Sequence, residues 1–97
     1  MSAYVIARMT ITDPERYDAY KAVSPGVIAA HGGRFLARGG QVQTLEGEPE
    51  THRVVIIEFS TVEAAQAFYR SAEYTAAKEI RRDAADFQMI LVEGFAG

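Results

Sequence analysis

Histidine, arginine and tyrosine carry most of the chemistry open to this 97-residue chain. His31 stands before Gly32 and Gly33. Its imidazole titrates near neutrality, so it is the first candidate for acid–base work, and the glycines would let a ligand approach the backbone. It also falls in the last turn of a predicted helix, where a histidine can bond the terminal carbonyls and complement the dipole. Arg8 and Arg38 alternate onto the same predicted sheet face as Glu58. There they could bind a carboxylate or an enolate, or form ion pairs across a subunit seam, since buried charges are normally paired. Arg53 and Glu46 flank the loop before the strongest predicted strand. Tyr4, Tyr17, Tyr20, Tyr69 and Tyr74 offer apolar bulk with a hydroxyl, suited to the wall of a pocket for a ring-shaped ligand or to a core with satisfied hydroxyls. Tyr74 has Arg81 two turns further on.

Other chemistries find no support. Serines stand only at positions 2, 24, 60 and 71, at the terminus or at helix starts, and none has a nucleophile-elbow setting. His31-Gly32-Gly33 and Arg38-Gly39-Gly40 match neither dinucleotide nor P-loop phosphate cradles. The chain has no cysteine, which excludes disulfides, thiolate metal sites and thiol nucleophiles. Glu46, Glu48 and Glu50 beside His52 lack a metal-binding spacing and read as a solvated loop. Haem ligation could come only through His31 or His52, and no motif backs it. No cofactor and no metal are expected. A net charge of −3 and a pI near 5.3 argue against nucleic acid as a partner. The lack of an 18-residue apolar run argues against a membrane span. Met1-Ser2-Ala3 lacks the basic and apolar segments of a signal peptide, so a cytoplasmic location is expected. Of the ten basic residues only Lys21 and Lys78 are lysine. Arginine suits fixed, two-pronged anion contacts better than lysine does.

These residues need a scaffold, and the pattern predicts one domain spanning residues 1–97. Tyr4 to Thr12 alternates as a strand, with Val5, Ala7, Met9 and Ile11 on one face. Asp13-Pro14 opens a helix. Tyr17 and Tyr20 share a face of it, and Ser24-Pro25 is expected to kink or restart it. His31-Gly32-Gly33 ends it. Arg34 to Arg38 forms a short strand, and residues 41–50 a loop or hairpin. Thr51 to Phe59, with its Val54-Val55-Ile56-Ile57 run, suits a central strand. Ser60-Thr61-Val62-Glu63 reads as a capping box with Ser60 as cap. Ser71 can cap a further helical piece, and Phe87 to Phe95 is the last strand. The order β-α-β-β-α-β implies an α+β, ferredoxin-like fold: an antiparallel sheet with helices on one face. The other face would carry Ile6, Arg8, Leu36, Arg38, Val54, Ile56 and Glu58. Such a mixture needs a cover, and a second copy in a homodimer is the simplest.

The same residues resemble the dimeric α/β-barrel superfamily, and within it the uncharacterised family numbered 1330 of the domains of unknown function. The resemblance rests on Asp13-Pro14 with Tyr17 and Tyr20, on His31-Gly32-Gly33 through Arg38-Gly39-Gly40, and on Leu45-Glu46-Gly47. Arg53 to Phe59, Glu63-Ala64-Ala65, Ser71 to Tyr74, Arg81 and Val92-Glu93-Gly94 extend it over nearly the whole chain. Phe68 and Ala72 depart from it, standing where the family usually has Trp and Pro. The resemblance implies a ferredoxin-like fold and a homodimer, and it supplies no reaction. Superfamily relatives include cofactor-free monooxygenases, lactone isomerases, polyketide cyclases, haem enzymes and stress-responsive proteins. The expectation is a dimer with a pocket for a small organic acid or aromatic metabolite. In a cofactor-free isomerase or oxygenase, His31 would be the acid–base group and Arg38 or Arg53 would hold the anion. Tyr4, Arg8, Glu58, Tyr74 and Arg81 would complete the pocket. The alternative is a non-enzymatic ligand sensor or stress-related dimer whose charges are structural.

Overall fold

The computed structural model describes residues 1–96. Among them the chain runs β1 (Ala3–Ile11), α1 (Pro14–Ala30), β2 (Arg34–Arg38), β3 (Arg53–Phe59), α2 (Val62–Arg70), α3 (Ala72–Ile80) and β4 (Ala85–Glu93). The four strands form one antiparallel sheet in the order β2-β3-β1-β4. This is the ferredoxin-like arrangement that the element order predicts: each βαβ half is split by a strand of the other. Strand alternation decides the two faces. Val5, Ala7, Met9, Val55, Ile57 and Phe59 point under the helices and are buried. Tyr4, Ile6, Arg8, Val54, Ile56 and Glu58 point the other way and are half-buried. The protomer measures 38 × 37 × 16 Å, which is one sheet and one helix layer thick, so the second face has no layer over it.

Local sequence sets the helices. Asp13 caps α1 through its Oδ1, which accepts from the Arg16 N–H at 3.2 Å. Gly32, at φ +77°, turns the chain out of α1. Pro25 does not restart α1, which runs as one helix from Pro14 to Ala30; a proline removes one N–H donor, and the burial of Tyr20, Ser24, Val27 and Ile28 carries the helix past it. Before α2 the cap is Thr61, not Ser60: the Thr61 hydroxyl accepts from the Ala64 N–H at 3.0 Å. Ala65 and Phe68 are the buried residues of α2. Ser71 caps α3 as expected, accepting from the Tyr74 N–H and donating to the Phe68 carbonyl, and so makes the corner between the two helices.

The core is aromatic. Phe59, Phe68 and Tyr74 are fully buried and stack in sequence, at centroid distances of 5.1 and 4.4 Å. Tyr74 and Tyr20 satisfy each other through a 2.7 Å contact between their hydroxyls. Residues 41–52 form no regular structure, and Leu45 lies almost wholly in solvent.

Candidate functional site

Three cations meet in a cleft between α1 and the sheet. Tyr17, Tyr20, Lys21 and Ser24 come from α1, where spacings of three and four residues place them on one side. Phe35 and Arg38 come from β2, Arg53 from β3, and Phe87 and Met89 from β4. Lys21, Arg38 and Arg53 are the charged walls, and among the described residues no carboxylate lines the space. The free volume is small, about 30 Å³, room for a couple of water molecules.

Arg38 reaches this cleft through an irregularity that the sequence does not announce. The β2–β3 register passes from Phe35↔Ile57 to Ala37↔Ile56 and Arg38↔Val55, a bulge at Leu36. A bulge shifts the alternation by one residue. Arg38 therefore lies on the helix side with Val55, and not beside Arg8 and Glu58 as strict alternation predicts. Its guanidinium lies 4.6 Å from the Phe35 ring centroid, and its Nη2 points at the Lys21 carbonyl oxygen at 3.4 Å.

Arg53 lies deeper. Its Nε is buried and has no hydrogen-bond partner, although a buried guanidinium N–H is normally satisfied. Gly39 makes room for it: at φ +71° this glycine ends β2, and a Cβ there would collide with the Arg53 guanidinium. Arg53 stands by the Tyr17 hydroxyl. Burial raises the Tyr17 pKa above its ordinary value, and the nearby Arg53 only partly opposes this. Burial also pushes Tyr20 up, helped by its bond to Tyr74. Both phenols are therefore neutral at pH 7 and present O–H groups. Guanidinium and ammonium cations, neutral phenols and aromatic walls can together hold a flat anion.

The other expected site residues lie elsewhere. His31 ends α1, its Nδ1 donating to the Val27 carbonyl at 3.0 Å, with its ring against Phe68. It does not line the cleft. Tyr74 and Arg81 lie behind the cleft wall: Tyr74 is fully buried, and the Arg81 guanidinium stacks 3.8 Å from the Phe87 centroid with its Nε unpartnered. Tyr4, Arg8 and Glu58 lie on the open face of the sheet. There Arg8 Nη2 is 2.6 Å from Glu50 Oε2 and its Nη1 donates to Gln88 at 2.9 Å. Glu50 also accepts from the His52 backbone N–H at 3.0 Å and from its Nδ1 at 2.6 Å. These bonds hold the Glu50 carboxyl down at about 2, the His52 backbone N–H being the largest cause. Arg34 Nε donates to Glu58 Oε1 at 2.7 Å, which likewise holds Glu58 below the usual carboxylate range.

Sequence reading singles out Tyr17 and Tyr20 as one helix face but misses Lys21 and Ser24 as walls. The repeat 17, 20, 24, 28 on α1 is the signal that could have found Ser24. Among the described residues no three histidine or carboxylate side chains converge as a metal site requires, and no helix is long and apolar enough to cross a membrane.

A family model described as a domain of unknown function, DUF1330, matches residues 2–95. No curated protein matches the chain in sequence. Several solved structures share its fold. A protein of unknown function from Rhodopseudomonas palustris is 22% identical with a TM-score of 0.76, the match covering 99% of this chain and 84% of that one. SnoaB, a cofactor-independent oxygenase from Streptomyces nogalater, is 13% identical at a TM-score of 0.69, with 99% and 95% covered. A dimeric ferredoxin-like protein of unknown function from Jannaschia sp. CCS1 is 12% identical at 0.71, with 97% and 100% covered. At such identities the likeness is one of fold, and fold alone selects no chemistry.

Proposed function

The chain belongs to the DUF1330 family of domains of unknown function, and from that premise we propose that it is a cytoplasmic homodimer binding one small organic anion with a flat apolar body in the helix-side cleft of each subunit. The observation that carries this reading is the charge imbalance of the cleft. Arg38 and Arg53 enter it with no carboxylate partner among the described residues, Lys21 enters it beside Asp18 of its own helix, and the buried Nε of Arg53 is left without an acceptor. A carboxylate or enolate supplies what is missing, and Phe35, Phe87, Met9 and Met89 supply the apolar bed for a ring.

Dimerisation covers the open face. Ile6, Val54 and Ile56 are half-buried there in the protomer, and Ile90 and Val92 of β4 are 51% and 44% exposed. A second copy laid sheet to sheet removes this apolar surface from water, and a ferredoxin-like protein from Jannaschia that shares the fold is described as dimeric. Tyr4, Arg8 and Glu58 then act at the seam.

Turnover without a cofactor would use the same groups. Arg38 and Arg53 would hold the negative charge of a ligand that arrives already as its enolate. The shared fold of a cofactor-independent oxygenase makes oxygen uptake the assay to try. Calorimetry with benzoate against benzamide, which share a shape but not a charge, tests the binding itself. Benzoate is expected to bind and benzamide to bind far less. Equal binding of the two, or of neither, would overturn the reading.

A further inference from the structure

A cleft with about 30 Å³ of free space holds no ring as it stands. A wall has to move, and the walls differ in how firmly they are held. Tyr17, Tyr20 and Ser24 are buried in the core layer. Arg53 is wedged beneath Gly39. Arg38 is exposed, and among the described residues it has no carboxylate partner. It crosses from β2 to α1 on one long contact, Nη2 to the Lys21 carbonyl oxygen at 3.4 Å.

That carbonyl is free for a reason. In an α-helix the carbonyl of residue 21 accepts from the N–H of residue 25. Here residue 25 is proline, which has no N–H to give. Pro25 thus leaves a vacant acceptor beside the cleft, and the bulge at Leu36 turns Arg38 toward it. The contact is weak for a guanidinium. A 3.4 Å bond to a neutral carbonyl lies at the far end of hydrogen-bond range. A two-pronged bond from a guanidinium to a carboxylate is shorter, about 2.7–2.9 Å, and adds the attraction of opposite charges.

We infer that Arg38 is the specificity-determining residue of the cleft: it rests across the mouth on the Lys21 carbonyl that Pro25 leaves free, and a ligand carrying a carboxylate or enolate draws it off and is then held between Arg38 and Arg53. This rests on the anion-binding reading of the cleft and adds which residue reads the charge and why the closed form is easily opened. A neutral ring of equal size offers Arg38 no acceptor better than the carbonyl it already has, and is refused. Lys21 does not substitute for it. Its ammonium is drawn to Asp18 Oδ1 at 3.4 Å, on its own helix.

The test uses the full chain with benzoate and benzamide as probes and the variants Arg38→Gln, Pro25→Ala and the two combined. Arg38→Gln is expected to weaken benzoate by on the order of tenfold or more while leaving benzamide unchanged, collapsing the preference between them. Pro25→Ala restores the N–H that occupies the Lys21 carbonyl. Arg38 loses its resting place, and benzoate affinity rises a few-fold by the removed competition. In the Arg38→Gln background the Pro25→Ala gain is expected to vanish, a non-additivity that a merely structural role of Pro25 would not produce. Without ligand, the side-chain N–H signal of Arg38 in NMR is expected to exchange faster with water in Pro25→Ala than in the native protein. Benzoate binding that ignores both positions overturns the role of Arg38 and leaves the cleft reading standing. Benzoate binding to none of the proteins overturns both.

Discussion

The two faces of the sheet use arginine in opposite ways. On the open face every arginine of a strand has a carboxylate: Arg8 has Glu50 and Arg34 has Glu58. On the helix side Arg53 and Arg81 carry buried Nε groups with no acceptor, and Arg38 leans on a backbone carbonyl. Paired charges neutralise one another and suit a surface that a second subunit covers, where an unpaired charge would be costly. Cations without partners in an aromatic cleft are costly unless something else supplies the anion. On the proposed reading, an assembly face and a ligand face lie within 16 Å of thickness.

The sharpest way to break the comparison is to put a lone charge on the wrong face. Ile56→Asp places a carboxylate beside Ile6 and Val54, in the apolar middle of the open face. Dimer dissociation is expected to rise by at least on the order of a hundredfold, since a desolvated unpaired charge costs several kcal/mol. Native mass spectrometry reads the outcome directly. The monomer should still bind benzoate, because the cleft is built within one protomer. A dimer that persists would remove the open face from the assembly argument.

On the helix side the matching substitution is Arg53→Gln. Benzoate affinity is expected to fall between about tenfold and a hundredfold, the worth of a hydrogen bond to a charged group. Thermal stability should change little, because the buried Nε has no partner to lose. Calorimetry beside a melting curve separates the two effects. Glu50→Gln on the open face serves as the control and should leave benzoate binding alone. Gly39→Ala is expected to do less to binding but more to stability. A residue other than glycine at φ +71° costs roughly 1–3 kcal/mol, and its Cβ pushes Arg53 out of place. A lower melting temperature with full benzoate affinity would mean that Arg53 tolerates displacement.

The contrast between faces was partly legible in the residues. Alternation in Tyr4 to Thr12 and Thr51 to Phe59 separates core positions from open ones, because period-two burial is strict in a half-covered sheet. Asp13 and Ser71 announce their helices because a cap needs only one side-chain oxygen at one spacing. Three features escaped. The bulge at Leu36, which moves Arg38 from the seam to the cleft, depends on how β2 docks against β3 and has no local signal beyond the glycines that follow it. Thr61, not Ser60, takes the cap, and two adjacent hydroxyls offer the sequence no local way of choosing between them. Pro25 reads as a break but is a carried-over helical residue, since buried neighbours on α1 outweigh one missing donor. The cleft is assembled from α1 and three strands, and no single stretch of sequence shows that its cations arrive without carboxylates.

The faces also differ in the pH at which each gives way, the smallest effect and the one that sharpens the comparison furthest. Glu50 has its pKa held at about 2, against 4.5 for an ordinary glutamate. The unfolded chain therefore binds the proton first as pH falls. The stability that Glu50 contributes is full above about 4.5 and drains away as pH drops toward 2. Tyr17 and Tyr20 have theirs raised above 10.0. Here the unfolded chain loses its proton first, so the contribution is full below 10.0 and lost as pH climbs past it. Acid thus loosens the open face and alkali the cleft. Melting temperature against pH should show a flattened acid limb in Glu50→Gln with the alkaline limb unchanged, and the converse in Tyr20→Phe. Both limbs responding to one variant would mean that the two faces are not independent.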